Sequence, residues 1–399
     1  MYLVKALKLM NCCKSGKLFV LTACLLVVSP SRGQDQQWLL GDWNGQRHVL
    51  AETGFEFEFA LTLEGVQNVS GGISRSSRAL ANLDLIMDAR GDALGLSENG
   101  DLHLYLLGNS GGAPTEMIGD IQATSNIEAP DTLKVYEAYW RQRHADDKIA
   151  WLIGLHDYNA LFSSLDAAAH FTNSSFGISP DISQVPPSIF PTTSLAFVVS
   201  LFSNEGAYLY LGAYDGEPGD PDDPRGTHII LDGDDGVFYA IEGGVQNNDT
   251  HSKLAVGVWY RTTNFETEFS GRVHHDNSGF YVIGERELTD RWAGFFQLGN
   301  ADKDRNQIGF YVGAGLVRSN LFVRNDTLGI GLARAENSDE YSDSTPGAET
   351  YEMALECAYK FSPCPWMTLQ PGIQFVRNPG MDPALDDAVA FSLRSSIAF

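Results

Sequence analysis

Val389-Ala390-Phe391-Ser392-Leu393-Arg394-Ser395-Ser396-Ile397-Ala398-Phe399 ends the chain. Val389, Phe391, Leu393, Ile397 and Phe399 share one parity, broken only by Ser395. Ala390, Ser392, Arg394, Ser396 and Ala398 share the other. A period of two sends the first set to one face of a β-strand and the second set to the opposite face. An apolar stripe outward, small or charged residues inward and an aromatic last residue fit the closing strand of an outer-membrane barrel. A half-buried strand of a soluble antiparallel sheet would alternate in the same way, so the rest of the chain must decide.

The alternation recurs upstream. Phe55, Phe57, Phe59, Leu61 and Leu63 oppose Glu56, Glu58, Ala60, Thr62 and Glu64; Leu254, Val256, Val258 and Tyr260 oppose Ala255, Gly257, Trp259 and Arg261. Tyr351, Met353, Leu355, Cys357, Tyr359 and Phe361 oppose Glu352, Ala354, Glu356, Ala358 and Lys360. Sixteen strands are expected, centred near residues 60, 85, 104, 137, 152, 198, 210, 240, 257, 283, 295, 311, 331, 356, 371 and 394. Connections after odd strands are mostly long (65–81, 108–131, 156–193, 215–235, 262–278, 300–305, 336–348, 377–387) and those after even strands mostly short. Short periplasmic turns alternating with long outer loops mark an up-and-down membrane barrel, and a soluble sandwich gives no reason for that rhythm. The expected fold class is therefore all-β, a 16-stranded antiparallel transmembrane barrel. Barrels of that size leave an aqueous bore.

The start of the chain agrees. Lys5, Lys8, Lys14 and Lys17 precede an apolar run, Leu18 to Val28, and a small-residue exit ending at Gly33, the layout of a secretory signal over 1–33. Lipidation at Cys24 would strand Leu25 to Val28 after the cut. A short leader or helix is expected over 34–54, and the barrel over 55–399. No later apolar run approaches the ~18 residues of a membrane helix, so any membrane crossing is made by strands. Removing the signal leaves 22 Lys and Arg against 51 Asp and Glu, a net charge of about −29 that repels nucleic acid. Cys357 and Cys364 remain, too few for a disulfide scaffold, and their spacing leaves them unpaired.

Inward parity supplies the candidate channel lining: the carboxylates Glu56, Glu58, Asp84, Glu352 and Glu356, the cations Arg261 and Arg394, the aromatics Tyr105, Trp140 and Trp259, and the amides Gln370 and Gln374. Sugars are held by paired hydroxyl hydrogen bonds and an aromatic plane against their C–H face, and this inventory offers both; acids and amides would also face the bore of any wet porin. The connection 156–193 is too long for a plain loop. Its Phe162, Phe171, Phe176 and Phe190 need cover from water, so it is expected to fold inward as a constriction loop. Residues 215–235 form an acidic outer loop without calcium-loop spacing, and His274-His275-Asp276 lacks a third metal ligand. No nucleophile elbow, zincin or phosphate-loop motif appears, so no catalysis and no cofactor is expected.

Several segments also resemble the carbohydrate-selective porins of the OprB type. Leu40-Gly41-Asp42-Trp43-Asn44-Gly45-Gln46-Arg47 is similar to that family's G-D-W-x-G-x-R opening, and Asn68-Val69-Ser70-Gly71-Gly72 to its N-x-S-G-G. Phe171-Thr172-Asn173-Ser174-Ser175-Phe176-Gly177 is similar to its F-x-N-S-x-F-G segment, inside the long connection. Leu369-Gln370-Pro371-Gly372-Ile373-Gln374-Phe375 with Asn378-Pro379-Gly380 is similar to its L-Q-P-x-x-Q-Y…N-P-G ending, with Phe375 for the usual tyrosine and Gly372 for the usual acid. The resemblance implies a sixteen-stranded porin passing monosaccharides through an eyelet of arginine and glutamate, without fixing which ones. The expected partners are small sugars, outer-membrane lipid and the barrel-assembly machinery, which would engage the strand ending in Phe399; a homo-oligomer stays open. The competing readings are a general cation-preferring porin and, more remotely, a soluble exported glycan-binding β-protein.

Overall fold

The computed structural model describes residues 37–399 apart from 221, 232, 233 and 268. The expected signal over 1–33, with Cys24, and Asp232 of the acidic loop lie outside the described residues. The strands are β1 (Phe55–Ser70), β2 (Ser77–Arg90), β3 (Gly100–Gly111), β4 (Thr132–His144), β5 (Ile149–His156), β6 (Ser194–Phe202), β7 (Ala207–Asp215) and β8 (Val237–Asn247). They continue with β9 (Ser252–Arg261), β10 (Asn277–Thr289), β11 (Trp292–Ala301), β12 (Ile308–Ser319), β13 (Thr327–Asn337), β14 (Tyr351–Cys364), β15 (Met367–Arg377) and β16 (Ala388–Ala398). Every expected strand centre falls inside one of them. A separate two-stranded hairpin, Phe265–Glu266 with Val273–His274, ornaments the connection after β9.

Each strand pairs antiparallel with its neighbour in sequence, and β1 pairs with β16 from Ala60↔Ala398 to Ser70↔Val389, so the sheet closes into a barrel without edges. Alternation drives the closure: every strand has one apolar and one mixed face, and a closed ring gives each face its own environment. In β9, Leu254, Val256 and Val258 are each about half exposed while Ala255, Trp259 and Arg261 are buried. That is inverted relative to a soluble protein and normal where lipid faces the outside. Short turns (145–148, 203–206, 248–251, 290–291, 365–366) gather at one rim and the longest connections at the other. The alternation fails twice: 71–76 is shorter than 91–99, and 302–307 shorter than 320–326.

The leader carries a helix, α1 (Gln46–Glu52), opened by Gly45 in the left-handed conformation at φ 87°. Its Arg47 lies between the rings of Trp38 and Trp43, 4.2 and 4.3 Å from their centroids. The guanidinium donates to the main-chain oxygens of Phe57 on β1 (2.6 Å) and Phe399 beyond β16 (2.5 Å). The leader thus bridges the barrel seam at the short-turn rim. Cys357 and Cys364 are both free.

Candidate functional site

The connection 157–193 folds into the bore and packs against the inner faces of β5–β14. Tyr158, Phe162, Phe171, Phe176 and Ile182 are buried there in one cluster with wall residues that include Tyr214, Phe238, Trp259, Tyr281, Phe295 and Tyr311. Tyr158 stacks on Phe162 at 4.9 Å; Phe171 and Phe176 lie 4.6 Å apart and reach Phe295 at 5.7 and 5.9 Å. The wall makes room: a Cβ on Gly331 would stand 2.8 Å from the Phe176 ring and 3.0 Å from that of Phe171. Truncating one such phenylalanine costs about 3–5 kcal/mol, so the loop is a fixture of the barrel interior.

Carboxylates of the wall then pin the loop through its backbone. Glu356 accepts from Thr172 N at 2.8 Å, Thr172 Oγ1 at 2.9 Å and Asn173 N at 2.9 Å. Glu242 accepts from Ser163 N at 2.7 Å, and Glu285 from Asp166 N and Ala167 N at 3.1 and 2.7 Å. Gln370 donates to His170 O at 2.7 Å; Gln374 donates to Thr124 O at 2.7 Å and accepts from Asn173 Nδ2 at 3.1 Å. Asn173 Oδ1 caps the short helix α2 (Ser174–Gly177) through Ser175 N. A second inward connection, 112–131, is tied the same way: Glu352 accepts from Ile121 N at 2.9 Å and Gln122 N at 3.0 Å, and also takes Gly380 N of the connection 378–387 at 2.6 Å. The two loops also join each other through Asn126 N to Thr172 O and Ser174 N to Ala123 O.

With β5–β14 covered, the polar wall of β16 and β1–β4 remains. Arg394 donates to Glu64 Oε2 (2.7 Å) and Asn126 Oδ1 (2.7 Å), and Ser125 Oγ donates to the same Glu64 oxygen (2.7 Å). Tyr105 OH donates to Asp84 at 2.5 Å, with Tyr136 edge-on at 5.0 Å and Phe190 of the long loop beyond it at 6.3 Å. His103 sits between Asp88 (2.8 Å) and Glu137 (3.5 Å) and stacks on Tyr139 at 4.8 Å. Glu56 and Glu58 stand exposed near the short-turn rim. Carboxylate acceptors, a guanidinium, amides and aromatic rings along one wall are groups that can exchange for the water around a polyol.

The expected residues therefore divide. Asp84, Arg394, Glu56 and Glu58 lie on the polar wall. Glu352, Glu356, Gln370, Gln374 and Asn173 face inward as expected but are spent on holding loops, and both glutamates are 0% exposed. Arg261 is buried against Glu217 at 2.7 Å. Trp140 is corrected: it faces outward, paired with Leu102 and with the half-exposed Ile153. Lys134 and Tyr136 set an inward even parity, but Tyr136 is a bulge residue. Beyond it Glu137, Tyr139 and Arg141 face the bore, because one extra residue flips all that follow. His103, Glu137, Tyr139 and Glu64 were not picked out. Glu64 was legible on the inward parity of β1 and His103 on that of β3, which it shares with Tyr105; Glu137 and Tyr139 needed the bulge.

Two loop carboxyls are sealed in. Burial pushes Asp181 up to about 7, and burial followed by the nearby Glu137 charge pushes Asp157 up to about 7. Each is thus raised above the unfolded value of about 3.9. Their contribution to loop seating is complete below about pH 4 and is lost as pH rises to about 7. Hydrogen-exchange protection across 157–193, taken relative to the intrinsic rate at each pH, is expected to be greater at pH 5 than at pH 8, and Asp181→Asn should flatten that difference; an unchanged profile in the variant would remove Asp181 from the account.

Comparisons with known proteins agree with this geometry. A family model described as carbohydrate-selective porin, OprB family, matches residues 74–399. Porin B of Pseudomonas aeruginosa is 20% identical over 92% of this chain and 92% of its own length. The high-pH structure of Pseudomonas putida OprB superposes with a TM-score of 0.82 at 19% identity, covering 92% of this chain and 99% of that one. The outer-membrane channel DcaP of Acinetobacter baumannii gives 0.58 at 11% identity, over 86% and 97%.

Proposed function

From the premise that this chain belongs to the OprB family of carbohydrate-selective porins, we propose a path for its sugars along the polar wall of β16 and β1–β4. The protein is an outer-membrane β-barrel porin with a preference for sugars, and its family and fold are those of channels. Arg394 with Glu64, Asn126 and Ser125 forms the charged station of the path. Asp84 with Tyr105, and His103 with Tyr139, follow as acceptor-and-ring stations. The loops 112–131 and 157–193 narrow the bore against this wall. The observation that carries the reading is the division of the interior: one side is packed with phenylalanine and tyrosine, and the other is lined by charged and hydrogen-bonding groups. Binding along the way is weak, with a dissociation constant on the order of 1 mM, because a site that holds its cargo tightly would block transit. The alternating final strand ending in Phe399 suits it for engagement by the barrel-assembly machinery.

Single-channel conductance in a planar bilayer, titrated with glucose, a second sugar and an acyclic polyol, tests the path. Current should fall saturably with sugar, and Asp84→Ala should weaken that block. Steady current at every sugar concentration, with cation-over-anion permeability, would return the protein to the class of general cation-preferring pores.

A further inference from the structure

The outer wall carries a groove that transport does not use. It spans β8–β14 towards the periplasmic, short-turn rim and has a volume of about 910 Å³. Its floor is Gly284, Gly294 and Ala314, and Leu254, Phe296 and Leu316 stand along its sides. Gly294 is what keeps it open: an added Cβ would lie 3.1 Å from Leu316 Cδ2 and 3.4 Å from Leu288 Cδ1. Arg286 and Arg318 belong to the same groove. Register puts Arg286 opposite Gly294, and Arg318 opposite Trp292 on the next strand pair, so the two cations flank the glycine from either side.

These two arginines are not neutralised within the barrel wall. Arg261, Arg305 and Arg334 are ion-paired, whereas neither Arg286 nor Arg318 has a carboxylate partner among the described residues. Arg318 lies over the Trp292 ring at 5.4 Å, and its Nε is buried without a hydrogen-bond acceptor. Unneutralised guanidinium groups on a lipid-facing surface call for an anion from the membrane side. Within the barrel wall, the outward carboxylates of the described strands, Asp215 and Glu336, stand at the opposite rim.

We propose that this groove holds one phospholipid of the periplasm-facing leaflet. Its phosphodiester sits on Arg286 and Arg318 and one acyl chain lies over Gly294 and Gly284. An apolar trough ending in two open cations matches the shape and charge order of a glycerophospholipid, head towards the rim and chain towards the membrane centre. The assignment rests on the outer-membrane barrel and is independent of the sugar path.

The test is native mass spectrometry of the purified barrel in neutral detergent, offered dioleoyl phosphatidylglycerol. The wild-type protein should retain one lipid per barrel. Arg286→Gln/Arg318→Gln should lower retention about tenfold, and Gly294→Leu, which fills the trough and leaves both arginines, should lower it too. Heat-modifiable mobility and sugar block of current, read on the same preparations, should be unchanged, so that a lost adduct is not a lost fold. Equal retention by wild type and the arginine variant overturns the proposal. Displacement by inorganic phosphate alone, with no dependence on the acyl chain, reduces the site to a simple anion contact and also overturns it. An oligomer that the arginine variant dissociates would reassign the groove to a subunit interface.

Discussion

Glu356→Gln is expected to leave the barrel closed, loosen its constriction loop around Thr172 and Asn173 and weaken the sugar block, nearly as much as Glu356→Ala. Both carboxylate oxygens accept from backbone N–H groups, Thr172 N on one and Asn173 N on the other. A glutamine must turn its NH2 towards one of those donors, so the variant closest in shape still leaves a buried N–H without an acceptor. Each orphaned donor costs about 1–3 kcal/mol, and in Glu356→Ala two are orphaned together with the Thr172 hydroxyl. The cost falls on the loop and not on the ladder, because β14 keeps its registers with β13 and β15. Single-channel recording should show a larger and noisier open level and a sugar affinity weakened by about tenfold or more. Circular dichroism and heat-modifiable mobility should be those of the wild type. A quiet channel of unchanged conductance in Glu356→Gln would mean that the aromatic packing alone seats the loop.

The second large effect is expected at Arg394. Its guanidinium holds a glutamate that is 0% exposed and, through Asn126, the tip of the second inward loop. Arg394→Ala strands the Glu64 charge, and removing one partner of a buried pair typically costs about 3–5 kcal/mol. It also makes the path more negative. Cation-over-anion permeability should rise and sugar block should weaken about tenfold. Arg394→Lys separates the two effects, because lysine restores the charge without a fork that reaches both Glu64 and Asn126. In that variant ion selectivity should return towards the wild type while sugar block stays weak. Recovery of both would reduce Arg394 to a point charge, and loss of neither in the alanine variant would move the path away from this station.

The barrel was legible because it is written locally. Each strand carries its own two-residue period, and the alternation of long and short connections needs only a count along the chain. The long loop was legible for a similar reason, since Phe162, Phe171 and Phe176 must be covered somewhere. The roles of Glu352, Glu356, Gln370 and Gln374 were not: parity sends them inward, but their partners are backbone groups of loops up to some 250 residues away in sequence, and no local pattern announces such a contact. Trp140 shows the other weakness of parity, that a single bulge at Tyr136 inverts everything after it. His103 and Glu137 escaped notice together, since the site they share exists only once that bulge has turned Glu137 to face the bore.

The latch formed by Arg47 has a kinetic implication. Every neighbouring pair of strands except one is a hairpin that can zip as the chain is delivered, whereas the seam joins segments from opposite ends of the sequence. Arg47 and Phe399 are 352 residues apart, and contacts of such separation are the slowest to form because the loop-closure entropy must be met before any contact compensates for it. Closing the ring is thus the late step of folding, and a side chain clamped between two tryptophans at that step acts as a ratchet. Its effect is on the rate at which a finished barrel reopens.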